Sequence, residues 1–333
     1  MRAMVMAAGL GTRLRPITWE IPKPIVPVCN RPIVGHLVQL LGTHGVEEAI
    51  ANLHWFPDTV KGCVGDGSDL GVDVSYRYEE QLLGTAGGVR NVADFLTGDG
   101  DDIFLVLAGD ALTDVDLGRL AEAHRANGGV ATLAVKQVSD VSQYGVIVTD
   151  SDGRIQGFQE KPDPTEALSD LVNCMVYAFS PEIFDYFPGD DPSEPIDFAH
   201  DVFPALLDAD VPFHVHEIDA YWNDIGTLPE YINGNIDALT GAVGFERVGR
   251  LHEGEEETAG GGKLEGPVLI GDDVEIGEGA SLVGPLVVGA GTRIGEGARV
   301  REGVLLPGAE IAPGGVFARG IAAGAERLAS ADW

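Results

Sequence analysis

Short apolar stretches alternate with amphipathic stretches from Met1 to Thr240. Apolar and β-branched runs predict strands, whereas apolar residues spaced three or four apart predict helices. The predicted strands are Ala3–Ala8, Glu48–Leu53, Val72–Tyr78, Ile103–Ala108 and Val130–Lys136. The predicted helices between them are Ile33–Thr43, Ala86–Leu96 and Leu117–Asn127. This alternation predicts an α/β fold with a mostly parallel sheet covered by helices on both faces.

A different periodicity follows Gly262. Apolar residues recur at every sixth position, at Ile270, Ile276, Leu282, Val288, Ile294, Val300 and Leu306, and the fit loosens after Pro307. A period of six suits neither a helix nor a hairpin, and it resembles the hexapeptide repeat of left-handed parallel β-helices. We therefore expect a domain at 1–240, an acidic, glycine-rich linker at 241–262 and a short left-handed β-helix at 263–333. So short a solenoid is expected to pack on its own catalytic domain or on a neighbouring subunit, and we expect a homo-oligomer.

The net charge of −32 is the most unusual bulk property. It argues against a nucleic acid held by phosphate contacts and against an anionic membrane surface, so we expect neither as a partner. Only five of the 21 basic residues are lysines, and dense acid with little lysine resembles proteins of salt-loving archaea. We expect a reduced, cytoplasmic protein for three reasons. The three cysteines are scattered, no apolar run is long enough to span a bilayer, and the N-terminus shows no signal-peptide pattern.

The segment after the first predicted strand contains the strongest chemical signal. It reads Gly9-Leu10-Gly11-Thr12-Arg13-Leu14-Arg15-Pro16, and the lysine of Pro22-Lys23-Pro24 follows. Glycines let backbone N–H groups approach phosphate oxygens, and an arginine can grip a phosphate with two hydrogen bonds. The flanking prolines hold Lys23 on a stiff segment. Ligands of α/β sheets bind at the carboxyl ends of strands, where this segment lies.

Further motifs follow in a fixed order. They are Glu80-Gln81-Leu82-Leu83-Gly84-Thr85-Ala86-Gly87, Gly109-Asp110, Tyr144-Gly145-Val146-Ile147, Glu160-Lys161-Pro162, Asn173 with Tyr177, and Tyr221-Trp222-Asn223-Asp224-Ile225-Gly226-Thr227. Together with the first segment they resemble the sugar-1-phosphate nucleotidyltransferases, which make nucleotide sugars from a nucleoside triphosphate and a sugar 1-phosphate. The resemblance implies a Rossmann-like catalytic domain and extends to the C-terminal repeat, as in mannose-1-phosphate guanylyltransferases.

The resemblance also implies a role for each site residue. Catalysis is assigned to Arg13, Lys23, Asp110, Lys161 and Asp224, with Asp110 and Asp224 as ligands of Mg²⁺. Nucleotide contacts are assigned to Ala8, Gly9, Gly11, Thr12, Glu79, Gly84 and Thr85. Contacts to the sugar phosphate are assigned to Tyr144, Gly145, Glu160, Lys161, Asn173 and Tyr177. Both reactants are anions, so cations and a hard divalent metal suit the reaction, and no covalent nucleophile is required.

One departure from the family affects the choice of sugar. Family members commonly have Asn-Ala-Gly where this chain has Asn173-Cys174-Met175. A side chain at Met175 could reshape the sugar pocket. We expect GTP and mannose 1-phosphate as substrates, and the alternative is glucose 1-phosphate with dTTP or UTP.

Two further classes of function fit the sequence less well. A hexapeptide-repeat acyltransferase normally needs a catalytic histidine, and no histidine occurs from Lys263 to Trp333. A non-catalytic regulatory subunit that binds nucleotide sugars would tend to lose the arginine or the lysine of the first segment. Both residues are present, so a transferase is the prediction.

Overall fold

The computed structural model describes residues 1–189 and 191–330. The helices are α1 Ile33–Thr43, α2 Pro57–Val64, α3 Gly84–Arg90, α4 Ala93–Leu96, α5 Leu117–Asn127, α6 Phe203–Asp208 and α7 Leu228–Thr240. The strands that precede the end of α7 are β1 Arg2–Met6, β2 Pro27–Val28, β3 Arg31–Pro32, β4 Glu48–Leu53, β5 Asp73–Tyr78, β6 Phe104–Ala108, β7 Leu112–Thr113, β8 Ala131–Gln137, β9 Gly145–Thr149, β10 Ile155–Glu160, β11 Leu171–Phe179, β12 His214–Glu217 and β13 Trp222–Asn223. The later strands are β14 Arg250–His252, β15 Glu255–Thr258, β16 Gly262–Glu265, β17 Val268–Ile270, β18 Glu275–Ile276, β19 Ser281–Val288, β20 Arg293–Ile294, β21 Arg299–Leu305, β22 Glu310–Ile311, β23 Val316–Ala318, β24 Gly320–Ala323 and β25 Glu326–Ser330.

The chain divides into two compact units. The first unit contains Met1–Leu10, Leu37–Ala111 and Val115–Trp222. The second unit contains Gly11–His36, Leu112–Asp114 and the chain from Asn223 onward. The glycine-rich segment that follows β1 therefore begins in the first unit and continues in the second.

The first unit is built on a nine-stranded sheet. Its path runs β10-β9-β11-β6-β1-β4-β5, and β8 joins β11 to β12. Strands β6, β1, β4 and β5 are mutually parallel. The predicted α/β fold with its parallel strands is confirmed. The antiparallel strands β9, β10 and β11 extend the sheet in a way that the apolar pattern did not predict.

The register of the parallel strands places three loops at one edge of this sheet. Met6 at the end of β1 pairs with Asn52 on one side and with Ala108 on the other. Residues that follow β1, β4 and β6 therefore emerge together. Strand β6 is completely buried, and the neighbouring strand β11 contributes the fully buried Tyr177 and Phe179. The rigid core thus supports a polar edge.

One predicted helix is interrupted. The stretch predicted as Ala86–Leu96 forms α3 and α4, and α3 begins before the predicted start, at Gly84. Asn91 and Val92 separate the two helices.

Of the three cysteines, Cys29 and Cys174 are buried, whereas Cys63 is exposed. Among residues 1–189 and 191–330, no helix has both the length and the apolarity needed to span a bilayer.

The second unit contains the C-terminal strands, most of which pair in parallel with another strand of this unit. Leu264 pairs with Leu282, and Leu282 pairs with Val300, so that the partners are three hexapeptides apart. Val288 instead pairs with Leu305, one position short of that spacing. A register shift between Val283 and Leu286 of β19 accounts for the difference, and Leu305 takes the register position that the repeat predicted for Leu306. The departure from the repeat therefore begins before Pro307.

The segment expected to be a linker also contains ordered strands. Strand β14 pairs antiparallel with β17, and β15 pairs antiparallel with β16. Helix α7 packs against β19 and β21. The C-terminal strands therefore pack together with α7 in the second unit.

Candidate active site

The first unit places two of the predicted motifs directly after neighbouring parallel strands. Ala8 is buried and Gly9 is exposed just beyond β1. Gly109 follows β6, and its N–H donates to the carbonyl of Met6 over 2.9 Å. Asp110, the next residue, is half-buried. The sheet edge thus positions Asp110 beside the segment that β1 delivers.

The second unit brings three predicted catalytic residues together. The Arg13 guanidinium donates to the Asp224 carboxylate over 3.5 Å. Lys23 Nζ donates to the backbone carbonyl of Asp224 over 3.2 Å. Lys23 is only 7% exposed, whereas the Arg13 side chain is 52% exposed. Two cations and one carboxylate, contributed by distant parts of the sequence, therefore form one cluster that can bind a phosphate group.

Gly11 allows this cluster to pack tightly. Its φ angle is +60°, and an added Cβ would lie 2.8 Å from Lys23 Cβ. The Gly11 carbonyl accepts a 2.7 Å hydrogen bond from the Thr18 hydroxyl. Thr12, beside it, is exposed. Any side chain at Gly11 would be strained and would displace Lys23.

A hydrogen-bonded turn orients Asp224. Its Oδ1 accepts from the N–H of Gly226 over 3.1 Å, and Asn223 Oδ1 accepts from the N–H of Ile225 over 2.8 Å. Asn223 also donates to Glu230 over 3.0 Å. Burial and the nearby Asp224 carboxylate raise the pKa of Glu230. Negative charge is therefore concentrated around Asp224.

The buried carboxylate of Glu79 holds the predicted nucleotide loop after β5. Glu79 is 3% exposed, and its two carboxylate oxygens accept from Asn52 Nδ2 over 2.7 Å and from the N–H of Leu83 over 3.2 Å. Gly84, beyond Leu83, is exposed. Glu79 therefore shapes the loop from inside the protein.

Thr85 is held by a segment that sequence reasoning missed. Its hydroxyl donates to Asp197 Oδ2 over 2.7 Å and accepts from the N–H of Phe198 over 3.0 Å. The carbonyl of Ile196 accepts from the N–H groups of Ala86 and Gly87, at 3.0 Å each. The single hydroxyl proton of Thr85 is thus committed to Asp197. The sequence does contain a signal for this segment. Asp197 lies two positions after a proline and directly before an apolar stretch, which is a pattern typical of a helix N-cap.

Four of the residues predicted to hold the sugar phosphate lie together at one end of the β9–β10 hairpin. Gly145 pairs with Glu160, and the N–H of Lys161 donates to the carbonyl of Tyr144 over 3.0 Å. Lys161 Nζ lies 3.3 Å from a Glu160 carboxylate oxygen, and about half of each side chain is exposed. This end of the hairpin therefore offers an accessible cation.

Asn173 and Tyr177 lie on the neighbouring strand β11, on either side of a bulge. Asn173 Oδ1 accepts from the N–H of Met175, and its Nδ2 donates to the Tyr177 hydroxyl, both over 2.9 Å. Tyr177 is 1% exposed, and burial raises its pKa, so the hydroxyl stays neutral. The structure therefore places Tyr177 in the core, where it supports Asn173.

Met175 lies within the bulge at a φ angle of +52°. Non-glycine residues rarely adopt this left-handed conformation, and its cost is on the order of 1 kcal/mol. The backbone geometry explains why glycine would suit this position. It also shows that Met175 is retained there despite the strain.

The donor chemistry near Asp224 fits a hard divalent cation. The carboxylate offers oxygen ligands, which Mg²⁺ prefers. No group of three or more His, Cys, Asp or Glu residues converges on a metal position in the described ranges 1–189 and 191–330. A metal bound by this protein would therefore take further ligands from substrate phosphates and water.

Comparison with known proteins defines the class. The sequence pattern of the nucleotidyl transferase family matches residues 2–241. A UTP–glucose-1-phosphate uridylyltransferase of Synechocystis is 38% identical over 290 residues, which cover 81% of this chain and 74% of that protein. A mannose-1-phosphate guanylyltransferase of Mycobacterium tuberculosis is 33% identical over 282 residues, which cover 83% of this chain and 76% of that protein.

A solved structure has the same fold. It is that of a Bacillus anthracis protein proposed to be a glucose-1-phosphate thymidylyltransferase, with a TM-score of 0.65 and 24% identity. The match covers 74% of this chain and 97% of that one. The chain therefore belongs to the nucleotidyl transferase family, and it is a sugar-1-phosphate nucleotidyltransferase. Enzymes of this family typically use a divalent metal.

Proposed function

We propose that the enzyme transfers a guanylyl group from GTP to mannose 1-phosphate, forming GDP-mannose and pyrophosphate. The observation that carries the choice of base is the similarity to a mannose-1-phosphate guanylyltransferase. The guanylyltransferase of M. tuberculosis, similar over 83% of the chain, supports the same pair of substrates.

Glu79 acts on the nucleotide loop and not on the base. Its carboxylate is 3% exposed, and its two oxygens already accept from Asn52 Nδ2 and from the N–H of Leu83. The choice of GTP therefore rests on the guanylyltransferase relative.

The reaction joins two anions without a covalent intermediate. A phosphate oxygen of the sugar 1-phosphate attacks the α-phosphorus, the bond from that phosphorus to the bridging oxygen breaks, and pyrophosphate leaves. We assign Arg13 and Lys23 to the α-phosphate and the leaving group, and Lys161 to the attacking phosphate. Each cation offsets charge that builds up or is brought together during transfer.

We assign Mg²⁺ as the metal, with Asp110 and Asp224 as its protein ligands. When bound, the ion would neutralise phosphate charge. Arg13, which donates to Asp224, would keep that carboxylate oriented. The remaining predicted nucleotide contacts, Ala8, Gly9, Gly11, Thr12 and Gly84, would act through backbone N–H groups or through close backbone approach.

A second candidate is uridylyl or thymidylyl transfer to glucose 1-phosphate. The Synechocystis relative, at 38% identity over 81% of the chain, supports it. Met175 bears on the sugar in both cases, because it lies in the bulge of β11 next to Asn173.

A competition experiment separates the candidates. The protein is incubated in molar KCl with Mg²⁺, equal concentrations of GTP, UTP, dTTP, CTP and ATP, and one sugar 1-phosphate at a time. Mass spectrometry then identifies the nucleotide sugar. We expect GDP-mannose as the main product.

Two results would contradict the proposal. UDP-glucose or dTDP-glucose as the main product would favour the second candidate. A folded protein that forms no product from any pair would favour a regulatory subunit.

We also propose that the C-terminal strands form a left-handed parallel β-helix and contribute to a homo-oligomer. The support is their parallel pairing at a spacing of three hexapeptides or one position less, because three hexapeptides make one coil of such a helix. The mass of the full chain in molar KCl, measured by light scattering, tests the oligomer. A monomeric mass would contradict it.

The acidic composition supports a further proposal, that the protein functions in concentrated salt. Its 53 acidic residues outnumber the 21 basic ones. Concentrated salt screens repulsion among surface carboxylates.

A further inference from the structure

Asn52 is a buried amide near the end of an otherwise apolar stretch of strand. It is 4% exposed, and it is the fifth residue of β4, in the sequence Glu-Ala-Ile-Ala-Asn-Leu. Its Oδ1 accepts from the N–H of Ala7 over 2.7 Å, and its Nδ2 donates to Glu79 over 2.7 Å. A polar side chain is costly in this position unless both of its ends are bonded.

The two bonds join the two loops to which nucleotide contacts are assigned. Ala7 begins the segment that continues to Ala8 and Gly9. Glu79 in turn accepts from the N–H of Leu83, next to Gly84. The chain of bonds therefore runs from the phosphate segment through Asn52 and Glu79 to the loop at Leu83.

Only an amide satisfies both neighbours of Asn52. The N–H of Ala7 requires an acceptor and the Glu79 carboxylate requires a donor, so the orientation of the amide is fixed. Aspartate would keep the bond to Ala7 but would face Glu79 with a second carboxylate. Leucine would leave both neighbours unbonded in the core.

Helix α3 closes over this bond at Gly88. An added Cβ at Gly88 would lie 2.7 Å from Asn52 Nδ2 and 3.0 Å from Glu79 Oε1. A further contact, of 2.9 Å between His54 Nδ1 and the backbone carbonyl of Glu79, holds Glu79 from the end of β4. The Asn52–Glu79 pair is thus enclosed and has little freedom to rearrange.

We propose that Asn52 is a positioning residue for nucleotide binding, which holds the Ala7 segment and the Leu83 loop in a fixed relation through Glu79. The proposal rests on the proposed nucleotide roles of these two loops. Asn52 itself contacts neither substrate. Its loss therefore acts on the KM for the nucleotide more than on the rate of the bound complex.

Asn52→Asp gives the most direct test. Two buried carboxylates in contact share a proton at low pH and repel each other when both ionise. We expect the KM of this variant for its nucleoside triphosphate to rise about tenfold or more between pH 6 and pH 8.5. The KM of the wild type should change about twofold or less over the same range.

The exchange variant Asn52→Asp/Glu79→Gln restores every bond in the chain. The new aspartate would accept from Ala7 and from the new amide, and the oxygen of that amide would accept from Leu83. We therefore expect the double variant to bind the nucleotide better than Asn52→Asp or Glu79→Gln alone, about fivefold or more in KM at pH 8.5. Its KM should also lose the pH dependence.

Asn235→Asp is the matched control. Asn235 is fully buried in the second unit, where it accepts from the N–H of Cys29 and donates to the carbonyl of Tyr231, both over 2.9 Å. The same chemical change there should lower the melting temperature and leave the nucleotide KM unchanged. If Asn52→Asp behaves like this control, Asn52 is merely structural and the proposal is wrong.

Gly88→Ala tests the proposal even if Asn52→Asp does not fold. The added methyl group should press on the Asn52–Glu79 pair and raise the nucleotide KM about fivefold or more. Gly62→Ala is its control, because an added Cβ at Gly62 meets no atom within 4 Å. An unchanged KM in Gly88→Ala would contradict the proposal. A wild type that is inactive with every substrate pair would instead contradict the proposed function.

Discussion

Lys23 and His124 are both buried, and their partners explain why. Lys23 donates to a backbone carbonyl in a cluster with Arg13 and Asp224. His124 lies between two hydroxyl groups, with Nδ1 3.0 Å from Thr132 Oγ1 and Nε2 2.9 Å from Ser180 Oγ. Lys23 therefore suits a role with phosphate, whereas the neutral ring of His124 suits a role in stability.

The pH dependence of unfolding tests the role of His124. Burial, and to a smaller degree the charge of Arg125, lower the pKa of His124 to about 4. The unfolded chain takes up the proton near pH 6.5, so stability is complete above that pH and falls as the pH drops towards 4. This residue alone should cost about 3 kcal/mol between pH 7 and pH 4.

Urea unfolding at several pH values in 2 M KCl measures this cost. His124→Gln should lose less stability on acidification than the wild type, because it removes the buried titrating group. His200→Gln, at an exposed histidine, should keep the wild-type slope. Equal slopes in all three proteins would contradict the account of His124.

At the scale of elements, Asp197 links the nucleotide loop to the segment that follows. Its Oδ1 accepts from the N–H groups of Ala199 and His200, which lie in a short π-helix at Phe198–Val202, and its Oδ2 accepts from Thr85. We expect Asp197→Ala to lower the free energy of unfolding by about 2 kcal/mol and to raise the nucleotide KM.

Asp116→Ala is the control for this effect. Asp116 caps α5 by accepting from the N–H of Arg119, so its loss should cost about 1 kcal/mol and leave the KM unchanged. Chemical denaturation and nucleotide titration of both variants provide the comparison. Equal effects on KM would mean that Asp197 has no special link to the loop.

The predicted strands and the site motifs followed from local patterns, and the errors have local causes. Apolar runs identified β1, β4, β6 and β8, because these strands are buried along most of their length. The hairpin β9–β10 is less apolar and was missed. The left-handed backbone at Met175 and the register shift between Val283 and Leu286 depend on tertiary pairing, which no short pattern records.

The same limit applies to the residues that hold the site in place. Arg13, Lys23 and Asp224 lie in recognisable motifs, so the sequence predicted them. Asn52 and Asp197 act through buried hydrogen bonds to residues distant in sequence. A lone asparagine in an apolar strand was a signal that only the structure could interpret.

At the scale of the whole molecule, a net charge of −32 on 333 residues implies strong repulsion among surface carboxylates. The Debye length falls from about 10 Å at 0.1 M salt to about 3 Å at 1 M. We therefore expect the melting temperature to rise by about 10 °C or more between 0.1 M and 2 M KCl.

The effect of salt should shrink at low pH. Near pH 4.5 part of the carboxylates take up protons, so less repulsion remains to be screened. Thermal unfolding in a grid of KCl concentrations and pH values measures both effects. A melting temperature that does not change with salt at pH 7.5 would contradict this account of the surface.

The central claim is that the buried Lys23, in its cluster with Arg13 and Asp224, promotes transfer of a guanylyl group to mannose 1-phosphate. Pyrophosphate release tests this claim most directly. Initial rates are measured with GTP, mannose 1-phosphate and Mg²⁺ in molar KCl for the wild type, Lys23→Ala and Lys61→Ala. Lys61 is an exposed lysine on α2. We predict release by the wild type and by Lys61→Ala, and a loss of about 100-fold or more in kcat/KM for Lys23→Ala. Equal rates in all three proteins, or no release by a folded wild type, would contradict the claim.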